Sequence, residues 1–254
     1  FHINKHLSKE VKLIDVTDNF CVLGLFGPKS RDLMKELSND DYSNENFKFG
    51  TAKYITVNSI KLWAQRLSYV GELGYELFVK KDDAKKIYNI IFEKGKKYKL
   101  SNCGMHAMDI MRMETGFLHW GHDISPEENQ YEAGLNFAIS YKKNTDFIGK
   151  KSLLKLREEK QKKRFLMFTL NQSKPGEPLM LHDEPIYIDG KIAGRTTSAN
   201  YSFNFNKNLA FGYINTEEDL ETIKSKSVEI EIEKVKYNAE ILTKPLNKKD
   251  FKNL

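Results

Sequence analysis

The stretch SYVGELGYELFV, Ser68 to Val79, sets Gly71 and Gly74 beside Glu72 and Glu76, with Tyr69 just ahead of them. Glycines so placed predict a turn, and the flanking apolar residues predict a strand on either side. Tyr69 and Glu76 then stand on opposite arms of one hairpin. Two readings follow. The plainer is an ordinary hairpin with an exposed Glu and a packed Tyr, and the stretch taken alone favours it. In the other, the turn aims a carboxylate and a tyrosine at a planar ligand that carries adjacent N–H donors. One ionised carboxylate accepts both hydrogen bonds, and charge-assisted bonds of this kind are stronger than neutral ones. The tyrosine supplies a flat wall with a hydroxyl tip.

Other motifs carry less. FIGKKS, Phe147 to Ser152, has the lysine of a phosphate loop but not its leading glycine, since Asn144 stands there. No G-x-G-x-x-G follows a strand, so no nucleotide site is indicated. HWGHD places His119, His122 and Asp123 within five residues. All three side-chain types bind metals, but the spacing lacks the helical i, i+4 pair of a zinc protease and no fourth ligand is apparent. A hydrogen-bonding turn without metal is the better expectation. No G-x-S-x-G elbow is present. Met105, Met108, Met111 and Met113 form a stripe that reads as core packing, because Met fills irregular gaps. Arg112 and Glu114 read as solvated or paired.

The 254 residues suffice for one large or two ordinary domains. With 40% hydrophobic and 12% aromatic residues, the chain reads as globular. No apolar run approaches the roughly 20 residues needed to cross a bilayer, and no leader pattern opens the sequence. The first residue is Phe1 rather than Met, and the chain is read as a fragment whose start lies upstream. Cys21 and Cys103 stand far apart in no redox or metal spacing. That suits a reducing compartment, and the expected location is cytoplasmic. The net charge is +6, with 41 Lys+Arg of which six are Arg. The lysine excess, beside much Asn, reads as a composition bias and a solvated surface. Base-reading proteins lean on the planar Arg fork. Neither nucleic acid nor a membrane is expected as a partner.

Elements must hold these residues in place. VKLIDVT and FCVLGLFG, over residues 11–27, predict two strands joined at Asp18-Asn19. Pro28 opens a predicted helix, PKSRDLMKEL, at a position that tolerates proline. SIKLWAQRLSY and YELFV predict two paired strands. A helix beginning at Asp82 and Asp83 follows, with Ile87, Ile90 and Ile91 on one face. CGMHAMDIMRMETG predicts a second helix, which Gly116 closes. Near residue 155 the composition changes. KLREEKQKKR is a charge run that reads as a solvated helix end. Beyond it RFLMFTL, EPIYID, KIAGRTTS, LAFGYI, VEIEI and KYNAEIL predict short strands, parted by turns such as Asp189-Gly190. The fold class is therefore α+β, with an antiparallel-sheet region over 1–155 and a β-barrel over 156–254.

Several segments, in order, resemble one family. LGLFGPKSRDLM is similar to the strand, Gly-Pro and helix unit of the glycine-cleavage T-protein and its folate-binding relatives. SYVGELGYELF, AMDIMRMETGFLHWGHDISPEENQYEAGLNFAI, DFIGKKSL and IAGRTTSANYSFNFNKNLAFGYI resemble further pieces of it. Each is short, and together they cover most of the chain. ETGFLHWGHDIS and DFIGKKSL look most like the C-terminal half of dimethylglycine and sarcosine dehydrogenases. Met108 stands where the T-protein proper has an arginine, which points to the same branch.

The resemblance implies tetrahydrofolate binding and capture of an N-methyl-derived carbon as 5,10-methylenetetrahydrofolate. It implies aminomethyltransferase-like chemistry, with a methylated amine or its product as the second small molecule. FAD would belong only to an upstream domain. By position, Glu76 matches the carboxylate that binds the pterin, whose N3–H and 2-amino group lie side by side. Tyr69 matches a folate-contacting tyrosine, Phe137 an aromatic that packs on folate, and Arg164 an arginine that reaches the folate tail. The family's catalytic aspartate lies upstream of these motifs. Asp15, Asp18, Asp40 and Asp41 do not sit in its motif, so no catalytic residue is assigned. A stand-alone aminomethyl- or methyltransferase and a non-catalytic folate-binding module are the alternatives.

Overall fold

Residues 2–254 are described by a computed structural model. They form two compact units, one of residues 2–68, 72–102 and 250–254, the other of 69–71 and 103–249.

The first unit is built on an antiparallel sheet. Its strands are β1 (Phe20–Phe26), β2 (Ala52–Val57), β3 (Ile60–Gln65) and β4 (Gly74–Lys80), in the order β1-β4-β3-β2. Helices α1 (Ser30–Leu37) and α2 (Lys81–Gly95) supply Leu33, Met34, Ile87 and Ile91 to one core with Leu25, Ile55, Leu62, Leu77 and Val79. Every second strand residue points to those helices, as the period of a strand requires. Burying an aliphatic side chain of this kind contributes about 1.5–3 kcal/mol. Tyr42, Phe47 and Tyr75 pack as a ring cluster at one end, with Tyr42 and Tyr75 edge-on at 5.7 Å. Buried Arg66 donates to the backbone oxygens of Phe47, Lys252 and Leu254, which holds the C-terminal tail on this unit.

The second unit carries α3 (Met105–Glu114), α4 (Lys150–Glu158), α5 (Leu220–Lys224) and six strands. The strands are β5 (Lys163–Leu170), β6 (Pro185–Ile188), β7 (Lys191–Ser202), β8 (Lys207–Asn215), β9 (Val228–Ile232) and β10 (Val235–Leu242). They close into an antiparallel barrel in the order β10-β5-β8-β7-β6-β9. Asp189-Gly190 and Glu233-Lys234 make the tight connections of β6–β7 and β9–β10, each pair with both φ positive. That backbone matches the right-handed twist of the strands it joins. α3 packs on β7 and β8 through Ile110 and Met113, against Leu209 and Phe211.

The fold class is α+β with a C-terminal antiparallel barrel, as the sequence predicts. Four local expectations are corrected. VKLIDVT forms no strand: Val11, Leu13, Ile14 and Val16 are exposed, and the segment ends in a 3-10 turn at Thr17–Asn19. Apolar alternation is not enough where no neighbouring strand offers a ladder. A strand absent from the sequence reading, β2, pairs with β3 through the positive-φ turn at Asn58 and Ser59. Tyr69 is on no hairpin arm. The β3–β4 ladder runs only from Trp63 to Gln65, and Tyr69 lies in the loop beyond it. Met105 stands exposed in the first turn of α3 rather than in the core, whereas Met113 is buried.

Candidate functional site

β4 of the first unit places Glu76. Tyr75, Leu77 and Val79 alternate with it and lie in the core. Strand geometry therefore turns Glu76 and Phe78 to the opposite face of the sheet. Register names their neighbours there. Gly24 on β1 and Gln65 on β3 flank Glu76, while Val22 and Trp63 flank Phe78. Tyr54 on β2 pairs with Trp63, their rings edge-on at 4.8 Å. Val22, Phe78, Trp63 and Tyr54 thus make an apolar row across the sheet, next to one carboxylate and one amide. The row is open, with Val22 51% and Tyr54 59% exposed.

Phe26 bounds this patch. A Cβ on Gly24 would fall 2.6 Å from its ring, and one on Gly74 would fall 2.1 Å from it. The ring lies across both glycines, and a side chain at either position would displace it. Glu76 is half-buried. Among the described residues, neither its carboxylate nor the Gln65 amide has a hydrogen bond or ion pair. A half-buried carboxylate without a protein partner keeps its acceptor capacity for a ligand. Beside it lies the Phe26 ring, packed over the glycines. A flat heterocycle with adjacent N–H donors fits that surface.

The second unit holds the other three sequence-predicted residues. The Tyr69 ring is parallel to that of Phe117, 6° between planes and 6.1 Å between centroids. Its hydroxyl donates to the Leu118 carbonyl at 3.2 Å. Burial pushes the phenol pKa up, so the hydroxyl stays protonated well past neutrality. Arg164, near the start of β5, donates to the Glu218 carbonyl at 3.5 Å, while its Nε is buried without a partner. Phe137 lies in the turn Asn136–Ala138 and is 81% exposed. No hydrogen bond or ring contact among the described residues joins Tyr69, Phe137 and Arg164 to one another. Met108, one turn into α3, is half-buried.

A buried polar hub lies in the same unit, and the sequence reading did not foresee it as a pair. Arg112 is 1% exposed and Asp123 is 0% exposed, and the two form an ion pair. Arg112 also donates to Asp109 from Nε at 2.9 Å, to the Phe117 carbonyl at 3.0 Å and to Ser198 Oγ at 2.6 Å. Asp123 accepts from Thr197 Oγ1 at 2.6 Å, Ser198 Oγ at 2.8 Å and the His119 N–H at 2.9 Å. Tyr213 donates to the Asp123 carbonyl at 2.8 Å. HWGHD is thus a hydrogen-bonding turn pinned to the barrel. Its partners on β7 and β8 lie 74 to 90 residues away in sequence, so no local pattern announces them. A cavity of about 510 Å³ opens beside the hub, lined by His106, Asp109, His119, His122, Leu181 and Ser198 among others. Among the described residues, no three His, Cys, Asp or Glu side chains converge as a metal site.

Comparison with known proteins places these features. The family model described as the GCVT N-terminal domain matches residues 1–143. That described as the glycine cleavage T-protein C-terminal barrel domain matches residues 163–248. The chain belongs to the glycine cleavage T-protein family. The T-protein C-terminal barrel is the closed six-stranded barrel described above. The chain is similar to the mitochondrial dimethylglycine dehydrogenase of Homo sapiens, 34% identical over 237 residues. The match covers 93% of this chain and 27% of that protein. An aminomethyltransferase of Symbiobacterium thermophilum is 31% identical, over 80% of this chain and 54% of its own length. The crystal structure of aminomethyltransferase T from Bartonella henselae matches with a TM-score of 0.73 and 18% identity. It covers 89% of this chain and 59% of that one, a likeness of fold. The chain therefore spans about a quarter of the length of the dehydrogenase it matches.

Proposed function

We propose that this chain is the tetrahydrofolate-binding, one-carbon-transfer region of a dimethylglycine- or sarcosine-dehydrogenase-like enzyme. Membership of the T-protein family and likeness to dimethylglycine and sarcosine dehydrogenases support the reading. The observation that carries it is the half-buried Glu76 carboxylate, without a partner among the described residues, on an open sheet face. A pterin fits there, because its N3–H and 2-amino group match the acceptor pair of one carboxylate. Gln65 offers an amide beside it, and the Phe26 ring lying over Gly24 offers an aromatic surface for a ligand ring to pack on.

Each residue has a stated task. Glu76 accepts two charge-assisted hydrogen bonds and so orients the ring. Tyr69, held protonated, offers an aromatic face and a hydroxyl. Phe137 is assigned to pack on the folate, and Arg164 to pair with the carboxylate of its tail. Tetrahydrofolate supplies the amine nitrogens that take up a carbon at the formaldehyde oxidation level. The reading assigns 5,10-methylenetetrahydrofolate as product and the oxidised methyl group of an amine as donor. It leaves flavin chemistry to a region outside these residues and gives none of them the acid–base step.

Calorimetric titration of the chain with tetrahydrofolate tests the proposal. One saturable site that Glu76→Gln weakens supports it. Absence of binding, or binding indifferent to Glu76, rejects it.

A further inference from the structure

The lysine excess is not spread over the surface. Residues 142–163 hold nine Lys or Arg and three Asp or Glu, a net +6. That equals the net charge of the whole chain. The rest of the sequence carries 32 residues of each sign, 41 less nine and 35 less three. α4 runs through this segment and buries none of its side chains. Lys151, Leu154 and Lys155 are exposed and fall at i, i+3 and i+4, on one outward side of the helix. Leu154 is 41% exposed, and Ile148, just ahead of the helix, is 69% exposed. Lys142, Lys143, Lys151, Lys160 and Lys162 have no carboxylate partner among the described residues.

We propose that this face docks on an anionic phospholipid surface. A short basic helix with protruding aliphatic residues binds such a surface by charge attraction plus shallow apolar insertion. The choice of cation decides between occupants. Protein interfaces are depleted in Lys and enriched in Arg, and base-reading proteins rely on the Arg fork. Here eight of the nine cations are Lys, compact point charges on flexible stems. Surface docking of this kind needs no membrane-spanning helix, and among the described residues no helix is long and apolar enough to be one.

Co-sedimentation of the full chain with vesicles tests the proposal. One set is pure phosphatidylcholine, the other contains phosphatidylserine as about a third of its lipid. Binding to the second set only, weakened by salt, is expected. Each lysine near such a surface contributes about a five-fold factor in affinity. Lys142→Gln, Lys143→Gln and Lys151→Gln together should cost on the order of 100-fold. Lys81→Gln, Lys85→Gln and Lys86→Gln on α2, with the same charge change outside the basic segment, should leave binding within about two-fold of the parent. Ile148→Ser with Leu154→Ser should weaken binding and leave its salt dependence unchanged. Equal loss in the two lysine triples, no preference for phosphatidylserine, or tighter binding to a DNA duplex at the same salt overturns the proposal.

Discussion

Gly24 lies directly across from Glu76 in the β1–β4 ladder, and the Phe26 ring occupies the space that a side chain at Gly24 would take. The proposed ligand face includes both residues. Glu76→Gln keeps the shape but replaces one acceptor oxygen with a donor NH2 that would meet a pterin N–H. The loss is a charge-assisted bond of about 1.5–3 kcal/mol, which at about 1.4 kcal/mol per decade predicts 10- to 100-fold weaker tetrahydrofolate binding. Glu45→Gln, exposed in the same unit, should bind as the parent does. Titration calorimetry of both variants checks the pair of outcomes.

Gly24→Ala tests that face. The new methyl group would meet the Phe26 ring, so the ring must swing off Gly24 and Gly74. Overpacking of this kind costs roughly 1–3 kcal/mol, less where a half-exposed ring can move. Folate affinity should fall while the far-ultraviolet dichroism stays unchanged. Unaltered affinity would show that the ligand does not use this surface.

Arg112 and Asp123 predict a stability effect that is not a binding effect. Removing Arg112 leaves Asp123 buried without a counter-charge, which costs about 3–5 kcal/mol, and removing Asp123 leaves Arg112 only its partly exposed partner Asp109. Arg112→Met and Asp123→Leu should each lower the urea midpoint markedly. The double variant should lose less than the sum, because neither member of the pair is left buried without the other. Additive losses would mean that the two residues act through separate partners.

Acid should loosen the contact between the 125–132 loop and β5. Burial works against ionisation of Glu128, but hydrogen bonds from Lys163 at 2.5 Å and from Ser125 prevail and hold its carboxyl below the ordinary value. A carboxyl lowered in the folded state stabilises fully above its unfolded pKa of about 4.5. That contribution disappears as pH falls through the folded value. Between pH 6 and pH 3 the parent should lose more stability than Glu128→Gln. Parallel pH profiles would remove Glu128 from the account.

The barrel was readable because its strands alternate, are short and end in turn residues with positive φ. Asp189-Gly190 announced one hairpin directly. Asn58-Ser59 did not, since neither residue is glycine, and β2 passed unseen with it. Val11 to Thr17 shows the opposite error: a strand-like pattern needs a partner, and a partner is not a local property. Glu76 was legible from GELGYE as a candidate carboxylate. Its surroundings were not, because Gly24, Gln65 and Phe26 are set by register. Arg112 and Asp123 stood in view as residue types, yet only the barrel brings Thr197, Ser198 and Tyr213 to them.

β1 pairs with β4 alone among the described residues, and Phe20 and Val22 stand exposed along it. An open strand margin with apolar side chains invites identical strands from neighbouring molecules. Preparations of this chain should therefore cloud with time and concentration, in a manner seeded by material already clouded. Light scattering would follow it. Val22→Lys would set a charge on that margin and lengthen the clear interval, while the barrel, closed on itself, would contribute nothing to the growth.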